Sequence, residues 1–129
     1  MEPFLEQPVA RYAPADLARV VARDFAGHEE EVMRILSEYP RRARTEDGGL
    51  RVRMACLKLA RGSLDRLRHA VKTACGDYRD ALAGAEYADY MRATTRAEQQ
   101  EAIRTDWQRL QDWLHATEPQ RIEKTDRSN

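Results

Sequence analysis

The chain has 129 residues, 42% apolar and 34% charged, with a formal net charge of zero. That size and balance fit one globular domain and exclude a polar disordered chain. They also exclude a membrane-spanning helix, because no apolar run approaches the roughly 20 residues that such a helix needs.

The opening MEPFLEQPVARYAP has an acid at position 2 and no apolar core, so no secretory signal is expected. Cys56 and Cys75 lack a CxxC arrangement and read as buried thiols in a reducing cytoplasm.

Residues 1–13 hold Pro3 and Pro8 without periodicity and read as an extended arm that Phe4, Leu5 and Tyr12 dock on the body. Pro14 suits a first helical turn, and Leu17, Val20, Val21 and Phe25 follow at helical spacing. Gly27 suits the left-handed end of that helix. Glu29, Glu30 and Glu31 open a second helix at the end where the dipole favours negative charge. Its apolar stripe is Val32, Ile35, Leu36 and Tyr39, and Pro40 stops it.

RRARTEDGG, residues 41–49, is a polar connection. A third helix runs through LRVRMACLKLAR, where Leu50, Met54 and Leu57 cover one face and Val52, Cys56 and Leu59 the next. A helix apolar over so much of its circumference belongs at the centre of the core. Gly62 closes it, and Ser63 caps the next.

In that fourth helix Leu64, Leu67, Val71, Ala74, Tyr78, Leu82 and Ala85 step by three or four residues. The phase favours one helix continuing past Gly76, with a mild kink at most, over a break with Asp77 as N-cap. Gly84 and AEYADYM mark its end. Thr95 and Glu98 form a capping box for the last helix, whose stripe is Ile103, Trp107, Leu110, Trp113 and Leu114. The expectation is an all-α, single compact domain of about five helices over residues 14–116, orthogonal or bundle-like, with a polar tail at 117–129.

No HExxH, paired ExxH, GxSxG elbow or P-loop is present, so the sequence offers no cofactor site and no metal site. Asp65 with His69 and Asp112 with His115 are single pairs, short of any metal constellation. Cys75, beside Gly76, reads as core filler. The segment 41–75 holds ten Lys/Arg against Glu46, Asp47 and Asp65, a local charge of +7 that the rest of the chain balances. Pairing of this basic middle with the acidic flanks is the internal explanation. Nucleic-acid binding is the alternative, though the helix-Gly-helix around Gly62 fits a helix-turn-helix poorly, and the basic side chains scatter around two helices.

The remaining cluster is GDYRDALAGAEYADY, residues 76–90. Tyr78 lies on the apolar line, while Glu86 with Asp89 and Tyr87 with Tyr90 are i,i+3 pairs. The plainer account is a helix end whose amphipathic tyrosines cover the core edge. The enzymatic alternative is a polar pocket formed by Tyr78, Asp80, Tyr87 and Asp89.

The stretch LKLARGSLDRLRHAVKTACGDYRDALAGAEYADY followed by DWQRLQDWL resembles a family of small all-helical bacterial proteins. The pattern is LKLxxGxLxxL, then DYRDxLAxAEY, then DWxxxxxWL, and it spans about Leu50 to Leu114. The chain departs from it at Ala88, where the family has proline, and at Leu110, where it has tyrosine. The resemblance implies one compact bacterial domain and brings no activity, cofactor or partner. The sequence alone therefore favours a cytoplasmic helical protein acting through protein contacts, with itself as a homodimer or with another protein. Its expected surface involves Glu86, Tyr87, Asp89, Tyr90 and Trp113.

Overall fold

The computed structural model describes residues 7–39 and 49–120, and within them every regular element is a helix. In chain order these are α1 (Pro14–Asp24), α2 (Glu29–Leu36), α3 (Leu50–Ala60), α4 (Leu64–Gly76), α5 (Tyr78–Glu86), α6 (Ala88–Arg92) and α7 (Arg96–His115). The connection at 41–48, Pro40, Phe4 and Leu5 lie outside the described residues.

α3 is the central helix. Val52, Met54, Ala55, Cys56, Leu57 and Ala60 are all buried, which takes in both of the faces read from its sequence. α1, α4 and α5 pack against it. Burial pushes the Cys56 thiol up to about 12, so it stays neutral core material. Cys75 is different: it is exposed, with its Sγ 3.5 Å from the Glu38 carbonyl oxygen, and it is not core filler.

Among the described residues seven helices stand where about five were expected, for two physical reasons. The first is Asp77, where the expected continuous helix breaks. Its backbone is extended (φ −156°, ψ 106°) and its carboxylate accepts the Arg79 amide at 3.0 Å, capping α5. Its own amide still donates to the Thr73 carbonyl at 2.9 Å, so one residue ends α4 and starts α5. α3, with 11 residues, is only about 16 Å long at 1.5 Å per residue. A straight helix of some 33 Å would overshoot it, whereas the break lets both α4 and α5 lie along it.

The apolar line keeps its phase through the break: Leu67, Val71, Ala74, Leu82 and Ala85 are buried and Tyr78 half-buried. The second reason is α6, a single short helix that Asp106 caps from α7. Gly84 does not terminate α5. A Cβ there would come 3.3 Å from Leu59, so this glycine is where α5 lies close to α3.

Arginines from neighbouring helices satisfy the carbonyls that helix C-termini leave unpaired. Arg19 donates to the Leu114 carbonyl at 2.7 Å, and Arg23 to those of Trp113 at 2.7 Å and Ala116 at 2.9 Å, so α1 caps α7. Arg53 of α3 donates to the carbonyls of Leu36, the last residue of α2, and of Tyr39 just beyond it, and Arg66 of α4 to the Leu59 carbonyl of α3. Arg23 also forms a bidentate pair with Asp24, whose Oδ1 accepts the Gln120 amide at 2.9 Å. The segment after α7 is thereby strapped across the turn between α3 and α4.

That turn is left-handed at two successive residues, Arg61 (φ 50°) and Gly62 (φ 81°). A Cβ on Gly62 would lie 2.6 Å from the Gln120 carbonyl oxygen, so both conformation and space require glycine. Arg61 has no such need and holds its conformation at a cost. Arg61→Gly should stabilise the protein by about 1 kcal/mol, and Gly62→Ala should destabilise it by about 2 kcal/mol or more. Urea melts of both variants check this, and matched effects would mean that the turn is not held as described.

Of the stripe read on α7, Leu110, Trp113 and Leu114 are buried, while Ile103 and Trp107 are only half-buried. The buried line instead includes Ala102 and Asp106. Trp113→Ala should therefore cost about 3–5 kcal/mol. Trp107→Ala should cost about 1–2 kcal/mol, because less apolar area is withdrawn from water. Thermal or urea unfolding of the pair gives the order, and equal losses would contradict the packing.

Candidate functional site

α5, α6 and α7 meet the N-terminal arm around two buried carboxylates and several half-buried aromatic side chains. The spacing of α5 puts Glu86 four residues beyond Leu82, on the apolar line, so its carboxylate is carried into the protein and is 3% exposed. Such a charge needs a partner. Arg51 of α3 supplies it, with Nε 3.2 and 3.1 Å from the two carboxylate oxygens and Nη2 donating to Oε1. The same Nη2 donates to the Tyr87 hydroxyl oxygen at 2.8 Å.

Tyr12, at the end of the arm, packs half-buried beside this group. Burial, and next the charge of Glu86, raise its phenol well above the ordinary range. Burial likewise raises that of Tyr87. Both phenols stay protonated around neutrality, so neither offers a tyrosinate for acid–base chemistry.

A second buried carboxylate belongs to Asp106 of α7, 7% exposed. It accepts the backbone amides of Asp89 and Tyr90, each at 3.0 Å, and so caps the first turn of α6. Asp89 pairs with Arg92 at 2.8 Å and with Arg109 at 3.0 Å. Between these groups lies a very small pocket of about 10 Å³, room for little more than one water. Pro8 and Ala10 of the arm form one side, Tyr90, Ile103, Trp107 and Leu110 the apolar wall, and Glu86, Tyr87 and Asp106 the polar end.

The expected surface residues are thus only partly together. Tyr87 and Tyr90 line the pocket and are half-buried, and Asp89 beside them is tied into ion pairs. Glu86 is at the pocket but spent on Arg51, and it presents no surface. Trp113 is buried elsewhere, with the Arg23 guanidinium 5.6 Å from its ring centre, and presents none either.

The four residues of the enzymatic alternative are not assembled. Asp80 is exposed in a groove between α4 and α5 beside His69, whereas Tyr78 packs on the core and Tyr87 lies at the arm. No group of three or more His, Cys, Asp or Glu among the described residues is placed to hold a metal ion. No helix among them is long and apolar enough to cross a membrane.

Sequence reasoning missed Arg51, Asp106 and the arm as parts of this site. A signal existed for Asp106: it falls on the line 102–106–110 of α7, a carboxylate among residues that face the core. The chain matches no protein-family model, no curated protein and no solved structure.

Removing one member of a buried ion pair strands the other. Glu86→Ala and Arg51→Ala should each cost about 3 kcal/mol, at the low end because Arg51 is a fifth exposed. The double variant should cost at least about 1 kcal/mol less than the sum. Additive losses in a denaturant double-mutant cycle would show that the pair is not coupled.

Proposed function

We propose that the protein works as an interaction module, binding a second copy of itself or a different protein through the edge formed by the arm, α6 and α7. One observation carries this reading: apolar and aromatic side chains are left open there around a single pocket. Val9 is 52% and Met91 67% exposed, and Tyr90, Ile103 and Trp107 are half-buried. Aromatic residues and methionine are the types enriched where proteins meet. The neighbouring charges are bound up in caps and pairs, an arrangement that favours docking over catalysis.

The basic segment gives less support to nucleic-acid binding than its charge suggests. Arg51 and Arg68 pair with Glu86 and Glu31, and Arg53 and Arg66 cap helices. This agrees with the internal explanation of the charge asymmetry.

Sedimentation velocity of the full chain, with affinity capture from a bacterial lysate, tests the proposal. A complex, homotypic or heterotypic, should weaken at least about tenfold on Met91→Glu, which places a charge in an apolar contact, without loss of thermal stability. A strict monomer with no specific partner, or a complex indifferent to Met91→Glu and Tyr90→Ala, would overturn it.

A further inference from the structure

A separate cleft opens where the C-terminal end of α3 meets α4, α7 and the strap. It is open to solvent and has a volume of about 550 Å³. Lys58, Arg61, Arg66 and Arg109 line it, against the single carboxylate of Asp112, while Leu59, Trp113 and Gln120 complete the walls. The formal charge of this lining is therefore +3.

Two of the cations are already engaged. Arg66 holds the Leu59 carbonyl oxygen through Nε and Nη2, at 3.3 and 3.2 Å, and Arg109 holds Asp89 at 3.0 Å through Nη1. Neither the Lys58 nor the Arg61 side chain makes a hydrogen bond or an ion pair among the described residues. Lys58 is half-buried as well, and burial lowers its pKa, with Arg109 and Arg61 acting in the same direction against Asp106 and Glu86. Asp106 and Glu86 offset part of that cost at Lys58, yet the cleft lining itself carries four cations against one carboxylate, so an anion entering it is favoured.

The backbone points the same way. Arg61 is the only non-glycine residue with positive φ among the described residues, and it is this strained residue that adds a guanidinium to the cleft. Glycine at that position would be cheaper for the fold.

We propose that this cleft binds a compact phosphate-bearing small molecule, with Lys58 and Arg61 as its direct partners and Arg66 and Arg109 completing the positive wall. Guanidinium forks match phosphate oxygens, and an ammonium serves as a point charge beside them. A monocarboxylate would neutralise one charge of three. A nucleic-acid duplex calls for a stripe of cations on an accessible face, whereas these converge in a concavity. The volume is of the order that small-molecule sites occupy.

Pyrophosphate is the probe, titrated into the full chain near physiological salt, read by calorimetry and by the fluorescence of the tryptophan pair, one of which lines the cleft. One saturable site is expected, with melting temperature rising as it fills. Lys58→Met and Arg61→Gly should each weaken binding about tenfold or more, while the unliganded variants melt no lower than the parent. Arg34→Gln, which removes an exposed charge on α2, should change nothing.

Absence of a saturable response up to millimolar pyrophosphate would overturn the proposal. So would an equal loss in Arg34→Gln, which would mean diffuse attraction. Citrate binding as tightly as pyrophosphate would overturn the phosphate assignment. Should Lys58→Met fold poorly, Arg61→Gly decides alone, since its predicted stability and affinity move in opposite directions.

Discussion

Every helix leaves carbonyl oxygens unpaired at its C-terminal end, and here arginines from other helices meet that demand at α2, α3 and α7. The rest of the structure depends on this. A guanidinium reaches two acceptors at once and brings positive charge to the negative end of the dipole. Each such contact fixes the end of one helix against the side of another, which sets positions that apolar packing alone leaves free to slide. Nineteen of the 22 basic side chains are arginine, and the geometry gives several of them work that lysine, with its single point charge, does less well.

The same logic governs the interior. Glu86 and Asp106 are carboxylates on helix faces that also carry the core, and neither is wasted: one anchors Arg51 across the α3–α5 contact, the other caps α6. The two sites proposed have different linings: Glu86 and Asp106 belong to the one at the arm and not to the one at the strap. At the arm the row leaves an apolar rim and little spare charge. At the strap four cations face a single carboxylate, beside the apolar side chains of Leu59 and Trp113. Their differing chemistry follows from which charges the fold has already neutralised.

The fold class, the caps at Ser63 and Thr95 and the central place of α3 were legible because they rest on local signals: hydrophobic phase and residues that bond their own backbone. The break at Asp77 was not legible from phase, because the apolar line runs through it undisturbed. It rests on the cap at Asp77, and with the break both α4 and α5 contact the 11-residue α3, a tertiary fact that phase does not report. α6 was hidden for the same reason, since its cap comes from a residue seventeen positions away. At the candidate site, Tyr87 and Tyr90 could be read as edge residues from composition. The burial of Glu86 and Trp113 could not, because helix phase fixes direction around an axis and does not say which neighbour covers that direction.

The strap has a consequence for the order in which the molecule assembles. The bond between Asp24 and Gln120 joins residues 96 apart in the chain, and those from Arg19 and Arg23 to the end of α7 span 90 to 95. Such closures carry a larger loop entropy than the helix-to-helix contacts within residues 50–92. The α3–α5 unit can therefore gather early from near neighbours, and α1 can dock against α7 only when the last described residues have been made. The positive cleft therefore gains its walls from α7 and the strap only after the α3–α5 unit has gathered, so a ligand held there meets a molecule in which that unit is already in place.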